Sequence, residues 1–443
     1  MNLREQLRRL VPPAPPSPQP GLPRQAARPE PPAASPPPLL PVASAERIEL
    51  RGPPGARYFV RTLRFAPEAR HGLRQLGELA ALDVAWLAEL ADAEPVPGAP
   101  GSPVFLDVET TALGGGAGVY VFLVGLGRLE PSGWLLEQWL LREPAAEPAL
   151  LAELAARLQG AALVVSFGGR SFDARMLADR FRLHRLPSPL QRRHHADLAT
   201  PARALWRSRL GSCTLQAIER QRLGIARTAD LPSALCPQLY FDWLRRPGEE
   251  LAPMAPVLAH NAADVLALPV LALELAARTR RGTDPAERLG LGQHWRRRRR
   301  WEASRRELER SLALDRSPGH APLAARERAI LFAELGRVYR RLGRYAEAAR
   351  AWAELLRLPE PPLEALLALA RLAEHRTREL VLAEHAAALA LSLLRRRAAR
   401  LPAERAARLQ AELVRRLERL ARKRAAAAAA AGLRSRPAGP SAG

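Results

Sequence analysis

Four acidic residues and one histidine stand among apolar neighbours at spacings that could hold metal ions. In the stretch PVFLDVETTALGGGAGVYVFLVGLG (103–127), strand geometry puts Asp107 and Glu109 on one face, about 7 Å apart. That separation suits a pair of divalent cations, and unpaired carboxylates inside a sheet are otherwise costly. A second Asp-x-Glu, Asp92–Glu94, sits beside a proline-rich linker with no strand before it and carries no such expectation. Asp173 falls in the first turn of a helix after a strand and a glycine turn (LVVSFGGRSFDARML). It is either a site residue or an acid favouring the helix dipole. In VLAHNAADVLAL, His260 and Asp264 lie four apart and therefore share a helix face, as a site or as an exposed polar stripe. The glycine loop 114–118 is no P-loop, because no Gly-Lys-Ser/Thr follows. It is either a simple turn or a place where a strand of nucleic acid approaches the backbone closely.

These residues must be positioned by a small set of elements. Three strands follow one another at 104–109, 120–129 and 134–141, the last two joined by the EPSG turn. Next come a helix over 146–159, a strand over 163–167 and a helix opening near Ser171. Further helical segments fall at 201–207, 215–223 and 257–277. Adjacent strands followed by alternating helices and strands predict an α/β domain with a mixed sheet. Upstream, a strand at 58–63 and a helix over 73–90 form an N-terminal extension.

Beyond residue 285 the pattern is helical throughout. Gly336, Tyr339, Ala348, Trp352 and Leu355 have the small/large spacing of a tetratricopeptide repeat. Setting Gly292 against Gly336 gives a second copy with Trp295, Ser304, Leu308 and Ser311, and Ala370 opens a weaker third with Ala373, Leu382, Ala386 and Leu389. The predicted organisation is a disordered Pro/Ala/Arg-rich arm (1–45), an extension packing on the next domain (46–100), and the α/β domain (101–281). Helical repeats (285–395) follow, then a basic helix and disordered tail (396–443), frayed from the alanine run near residue 425.

A net charge of +23 would attract polyanions. Of 68 basic residues only Lys423 is lysine, so part of that charge reflects an arginine bias of the kind GC-rich bacterial genomes impose. Arg203, Trp206 and Arg207 could grip phosphates or stack a base, and could equally form a solvated helix face. The arginine run 296–300 is read chiefly as the outer face of a repeat. Two cysteines, Cys213 and Cys236, with no CxxC motif, exclude a disulfide framework or zinc knuckle and predict a reduced, cytoplasmic setting. No run of eighteen uncharged apolar residues predicts a membrane span, so no membrane partner is expected.

The strand Asp-x-Glu, the SFD helix start and the aspartate on a later helix resemble the signature of DEDD exonucleases on the ribonuclease-H-like fold. With HHADLATPARALWRSRLGSCTLQAIER and CPQLYFDWLR, the motifs look like the YprB-type ribonuclease-H-like family, which often carries tetratricopeptide repeats. The resemblance implies a metal-dependent nuclease, most readily a 3′→5′ exonuclease acting on DNA or RNA. It implies Asp107, Glu109, Asp173 and Asp264 as ligands of two Mg²⁺ or Mn²⁺ ions, which hard oxygen donors suit. His260 would be the general base or water positioner, yet it stands four residues before the last aspartate, where the two DEDD subclasses have histidine at five or tyrosine at four. Gly168 replaces the usual asparagine, Pro269 interrupts the last helix, and Asp197 is an accessory acid or a strand-end turn residue. The repeats would recruit a protein partner. The competing reading is a non-catalytic adaptor binding nucleic acid or protein through its repeats, and the presence of all four acids favours the enzyme.

Overall fold

The computed structural model describes residues 40–434 apart from residues 100, 113–117, 171, 192–193, 228–229, 359–360 and 398–401. Most of the proline-rich arm and residues 114–117 of the glycine loop therefore lie outside the described residues. The main sheet has seven strands: β1 (Ala45–Arg51), β2 (Tyr58–Phe65), β3 (Val104–Thr110), β4 (Val121–Glu130), β5 (Gly133–Leu141), β6 (Val164–Ser166) and β7 (His195–Asp197). Their order is β1-β2-β5-β4-β3-β6-β7, antiparallel from β1 to β3 and parallel from β3 to β7. This is the mixed sheet the strand spacing predicts. Segment 46–100 does not merely pack on it: β2 pairs along its whole length with β5, so the extension supplies two strands of the sheet. Leu40 and Ala43 already pack on the core, which puts the end of the arm before residue 40. The helix expected over 73–90 is broken into a two-residue strand, a 3₁₀ turn and α1 (Val84–Leu90). Asp83 caps α1 by accepting from the Trp86 amide, so the chain restarts a helix there.

Helices cover both faces. On one lie α2 (Glu147–Leu158) and α3 (Asp173–Leu183), packed over Val104, Leu106 and Val108 of β3. Buried Arg180 of α3 is ion-paired with buried Glu147 of α2 and lies 4.5 Å above the Tyr120 ring, which fixes how Asp173 enters the site. The other face receives α4 (Ala199–Leu210) and the 27-residue α6 (Ala255–Arg281), packed against Phe105 and Trp134, and α5 (Cys236–Leu244), packed against Phe59, Phe122 and Leu140. Glycine lets α6 approach so closely. A Cβ on Gly125 of β4 would lie 2.3 Å from Asn261 Oδ1, and one on Gly127 would lie 2.9 Å from Val265. By length and composition α6 could cross a membrane, but 83% of its apolar stretch is buried in this core, which accounts for its hydropathy. The helix runs on through Pro269.

Antiparallel helices complete the chain: α7 (Pro285–Arg297), α8 (Trp301–Arg316), α9 (Ala325–Arg341), α10 (Tyr345–Ala353), α11 (Leu363–Leu372), α12 (Leu380–Arg397) and α13 (Ala403–Arg434). The glycines seat the hairpins. A Cβ on Gly292 would meet Leu308 at 2.6 Å, and one on Gly336 would meet the Trp352 indole at 2.1 Å, the same i, i+16 pair in each hairpin. The helical boundary at 285 is no structural break. Leu291 and Trp295 of α7 belong to the core beneath the sheet, and Arg288 donates to the Thr279 and Gly282 carbonyls at the end of α6. At the other end α13 continues to Arg434 rather than fraying at residue 425, as alanine's helix propensity favours. It is tied down by Arg416, Arg419 and Lys423, which all reach buried Glu374.

Candidate metal centre

Alternation along β3 turns Phe105, Asp107 and Glu109 toward α6, while Val104, Leu106 and Val108 face α2 and α3. The face of α6 opposite them carries His260, Asn261 and Asp264. Carboxylate oxygens of Asp107, Glu109 and Asp264 lie within 4.8 Å of one another. Asp173 enters from the N-terminus of α3, close enough that its neighbours act on it electrostatically. The stripe on α6 is therefore no solvent-facing feature: His260 and Asn261 are fully buried.

The site is short of positive charge for so many acids. Burial, and after it Asp264, Asp173 and Glu109, hold the Asp107 carboxyl well above its usual range. Burial pushes Glu109 up to about 7, with Asp264 adding to the shift and His260 opposing it. Burial, Asp197, Glu109 and Asp264 push Asp173 up to about 8. Such a set is costly to ionise without a cation among its oxygens. The donor chemistry, carboxylate oxygen on three elements, is that of hard divalent cations. The residues present therefore fit a hard divalent cation.

Gln138, Arg227, Asp230 and Ser233 have no counterpart in the sequence reading, whereas Asn261 stands there on the same helix stripe as His260 and Asp264. Gln138 of β5 donates to Asn261 Oδ1 at 2.8 Å, which leaves the Asn261 amide aimed at Asp107 Oδ2, also at 2.8 Å. Buried Arg227 donates to Asp264, to Glu219 and, at 2.8 Å, to Asp230. Asp264 is thus both a site acid and the partner of a buried guanidinium. Asp230 accepts from His260 Nδ1 at 2.7 Å, which turns Nε2 toward Asp264 (3.6 Å) and Glu109 (3.9 Å), with the Ser233 hydroxyl 3.1 Å away. Burial opposes protonation of His260, but Asp264, Asp230 and Glu109 together raise it above the usual histidine range. Cys236 also lies within reach of Glu109 and His260, but burial and Glu109 hold its thiol protonated. A protonated thiol is a poor metal ligand. Arg227, Asp230 and Cys236 come from the 224–236 region, whose lack of periodicity offers no signal. Arg227 and Asp230, an opposite-charge pair three apart in an otherwise apolar stretch, are the nearest thing to one.

The remaining expectations divide. The Asp197 carboxylate accepts from the Gly168 amide (2.8 Å) and the Ala199 amide (3.0 Å), so it ties the β6 and β7 ends together as a strand-end residue does. Gly168 has φ +80°, where asparagine would be strained, and its amide rather than a side chain reaches Asp197. Arg203 and Arg207 are exposed on α4. Trp206 cannot stack a base: it is fully buried between α4 and α7, and its indole donates to Glu287 at 3.0 Å. On α4 it stands about 100° round the helix from Arg207, on the side that α7 covers.

Comparison with known proteins agrees with the geometry. Residues 104–276 match the RNase_H superfamily. The matched span runs from β3 to near the end of α6 and holds every acid of the site. The chain is also 34% identical over 215 residues to the uncharacterized protein YprB of Bacillus subtilis (strain 168). That alignment covers 47% of this chain and 51% of the relative, so the chain spans about half the length of the curated relative it matches. Over the matched residues the α/β part is similar to the RNase_H superfamily, and its mixed seven-stranded sheet fits that fold.

Proposed function

We propose that the protein is a divalent-metal-dependent nuclease hydrolysing phosphodiester bonds of DNA or RNA, acting as an exonuclease from 3′ ends. The observation that carries this reading is the convergence of Asp107, Glu109 and Asp264 within 4.8 Å, beside Asp173 and the Nε2 atom of a histidine held by Asp230. Asp107, Glu109, Asp173 and Asp264 would hold two Mg²⁺ or Mn²⁺ ions. Bound there, the ions would supply Lewis-acid stabilisation of charge developing at the scissile phosphate. The chain's own contribution is positional. Gln138 and Asn261 hold one Asp107 oxygen in place, leaving the other to bind. Asp230 fixes His260 so that in the neutral ring Nδ1–H donates to the carboxylate and Nε2, beside the Ser233 hydroxyl, is the atom that would accept a proton from a water on the Glu109 side. The free thiols of Cys213 and Cys236 are in keeping with a reducing, cytoplasmic setting.

The test is an assay of the purified chain with Mg²⁺ or Mn²⁺ on single-stranded and duplex DNA and RNA, labelled at either end. Stepwise shortening from the 3′ end that disappears in Asp107→Asn supports the proposal. Binding of nucleic acid with no cleavage under any of these conditions would mean a non-catalytic adaptor.

A further inference from the structure

Two basic depressions share one ridge of α4, one beside the loop at Gly168 and the other reaching the first helical hairpins. Next to Phe167 and Gly168, whose amide holds Asp197, a pocket of about 530 Å³ is bounded by Arg203, Arg207 and Thr214. The same two arginines form one wall of a second, larger groove of about 1070 Å³ between α4, α7 and the start of α9. They stand four apart on α4, about 6 Å along its axis, as a ridge shared by both depressions. The far wall carries Arg297 of α7 and Arg326 of α9. Among the described residues, Arg203, Arg207, Arg297 and Arg326 have no acidic group within 4 Å. Arg209 does, being 3.6 Å from Asp284 and 3.8 Å from Glu327, and that Glu327 is the acid in the groove wall. The walls are fixed to each other. A Cβ on Gly290 of α7 would lie 1.8 Å from the Ala204 carbonyl oxygen of α4, so the two backbones are in contact.

From this arrangement we infer that the groove between α4, α7 and α9 is a track for the sugar–phosphate backbone of a single nucleic-acid strand whose end lies at the carboxylates. The hairpins then serve substrate capture. The inference rests on the nuclease reading and adds to it a preference for strands long enough to reach α9. Guanidinium groups on both walls without an acid partner suit phosphates and read no bases, so capture is independent of sequence. An acidic polypeptide would meet the same charges but has no reason to be led to the carboxylates.

The test uses the full chain with Ca²⁺ replacing the active metal, and fluorescent oligothymidylates and oligouridylates of increasing length. Affinity is expected to rise with length and then level off. In R297A/R326A the advantage of long over short oligomers should collapse, and the slope of log affinity against log salt should fall by about 1.4, at roughly 0.7 per lost single-strand phosphate contact. The charge-preserving R297K/R326K should restore the slope, which a merely structural role would not allow. Unaltered length dependence and salt slope in R297A/R326A would overturn the inference. So would tighter binding of polyglutamate than of any oligonucleotide, which would mark the groove as a protein-docking surface. Cleavage by the wild type is scored separately. Length-dependent binding that collapses in the variant, without cleavage by the wild type, leaves the track standing and removes the nuclease. Cleavage with unchanged salt slope does the reverse.

Discussion

Among the residues of the site, identical substitutions should have opposite effects on the metal-free fold. Asp107 is held above its usual range by burial and like charge, so Asp107→Asn removes a repulsion and should raise the melting temperature without metal while abolishing the metal-induced shift. Asp264 also faces carboxylates, and repulsion alone predicts the same gain. Its bond to Arg227 reverses the expectation: Asp264→Asn weakens a buried ion pair and should cost roughly 1–3 kcal/mol. Thermal melts of both variants in chelator decide this, and equal shifts of the same sign would refute the contrast. The raised groups also set a proton balance. With Glu109 near 7 and Asp173 near 8, stability from their neutral forms is complete below the ordinary carboxylate range and is lost as pH rises through 7 to 8. Mn²⁺ binding near pH 6.5 must therefore release protons. Titration calorimetry in buffers of different ionisation heat should give buffer-dependent enthalpies; identical enthalpies would count against the site.

At the scale of elements, the close contact of β4 with α6 decides whether the two halves of the site meet. Gly125→Ala places a methyl group on Asn261 and Val265, which should cost about 1–3 kcal/mol and weaken Mn²⁺ binding by displacing Asn261 from Asp107. A melt and a Mn²⁺ titration check both parts; a loss of stability with unaltered metal affinity would show that Asn261 does not position Asp107. This contact also shows what the chain reveals in one dimension. Asp107 and Glu109 are legible because a strand alternates, and Asp264 with His260 because a helix returns every third or fourth residue. Arg227 and Asp230 belong to a stretch without a period, and only the fold brings them under α6. Trp206 misleads for a related reason: an aromatic residue between two arginines reads as a stacking platform until the packing partner on its other side, α7, is known. The hairpins are legible from Gly292 and Gly336, but the attachment of the first one to the sheet domain is not, since Leu291 and Trp295 are also what a self-contained repeat would bury.

For the molecule as a whole, that attachment predicts how it can be cut. A chain ending at Arg281 would expose Trp206, strip the Glu287 partner from its indole and remove Leu291 and Trp295 from the core. It should aggregate or melt without cooperativity, whereas Trp352→Ala, in the second hairpin, should cost about 3–5 kcal/mol there and spare the metal site. Cooperative melting of the 1–281 fragment with wild-type Mn²⁺ affinity would refute the dependence. The docking of α7 is also sensitive to acid. His294 lies buried against α1 with Nε2 donating to the Leu90 carbonyl at 2.8 Å, and burial pulls it down to about 4. Its contribution is present above the unfolded histidine value near 6.5 and is lost as pH falls through 4. Denaturant melts from pH 7 to 4 should show a loss of stability that His294→Gln makes shallower.

The sheet order has a consequence for the order in which the chain is made. Asp107 and Glu109 leave the ribosome on β3, but Asp264 follows 157 residues later on α6, and the α7 residues that close the core come later still. At about 5–20 residues per second, that interval is on the order of 8–30 s. Early in it the nascent chain holds two of the four acids, Asp173 on α3 brings them to three, and until α6 emerges the helix that completes the set is missing. Under the proposed function, the metal centre is thus incomplete for as long as this part of the chain is still being translated.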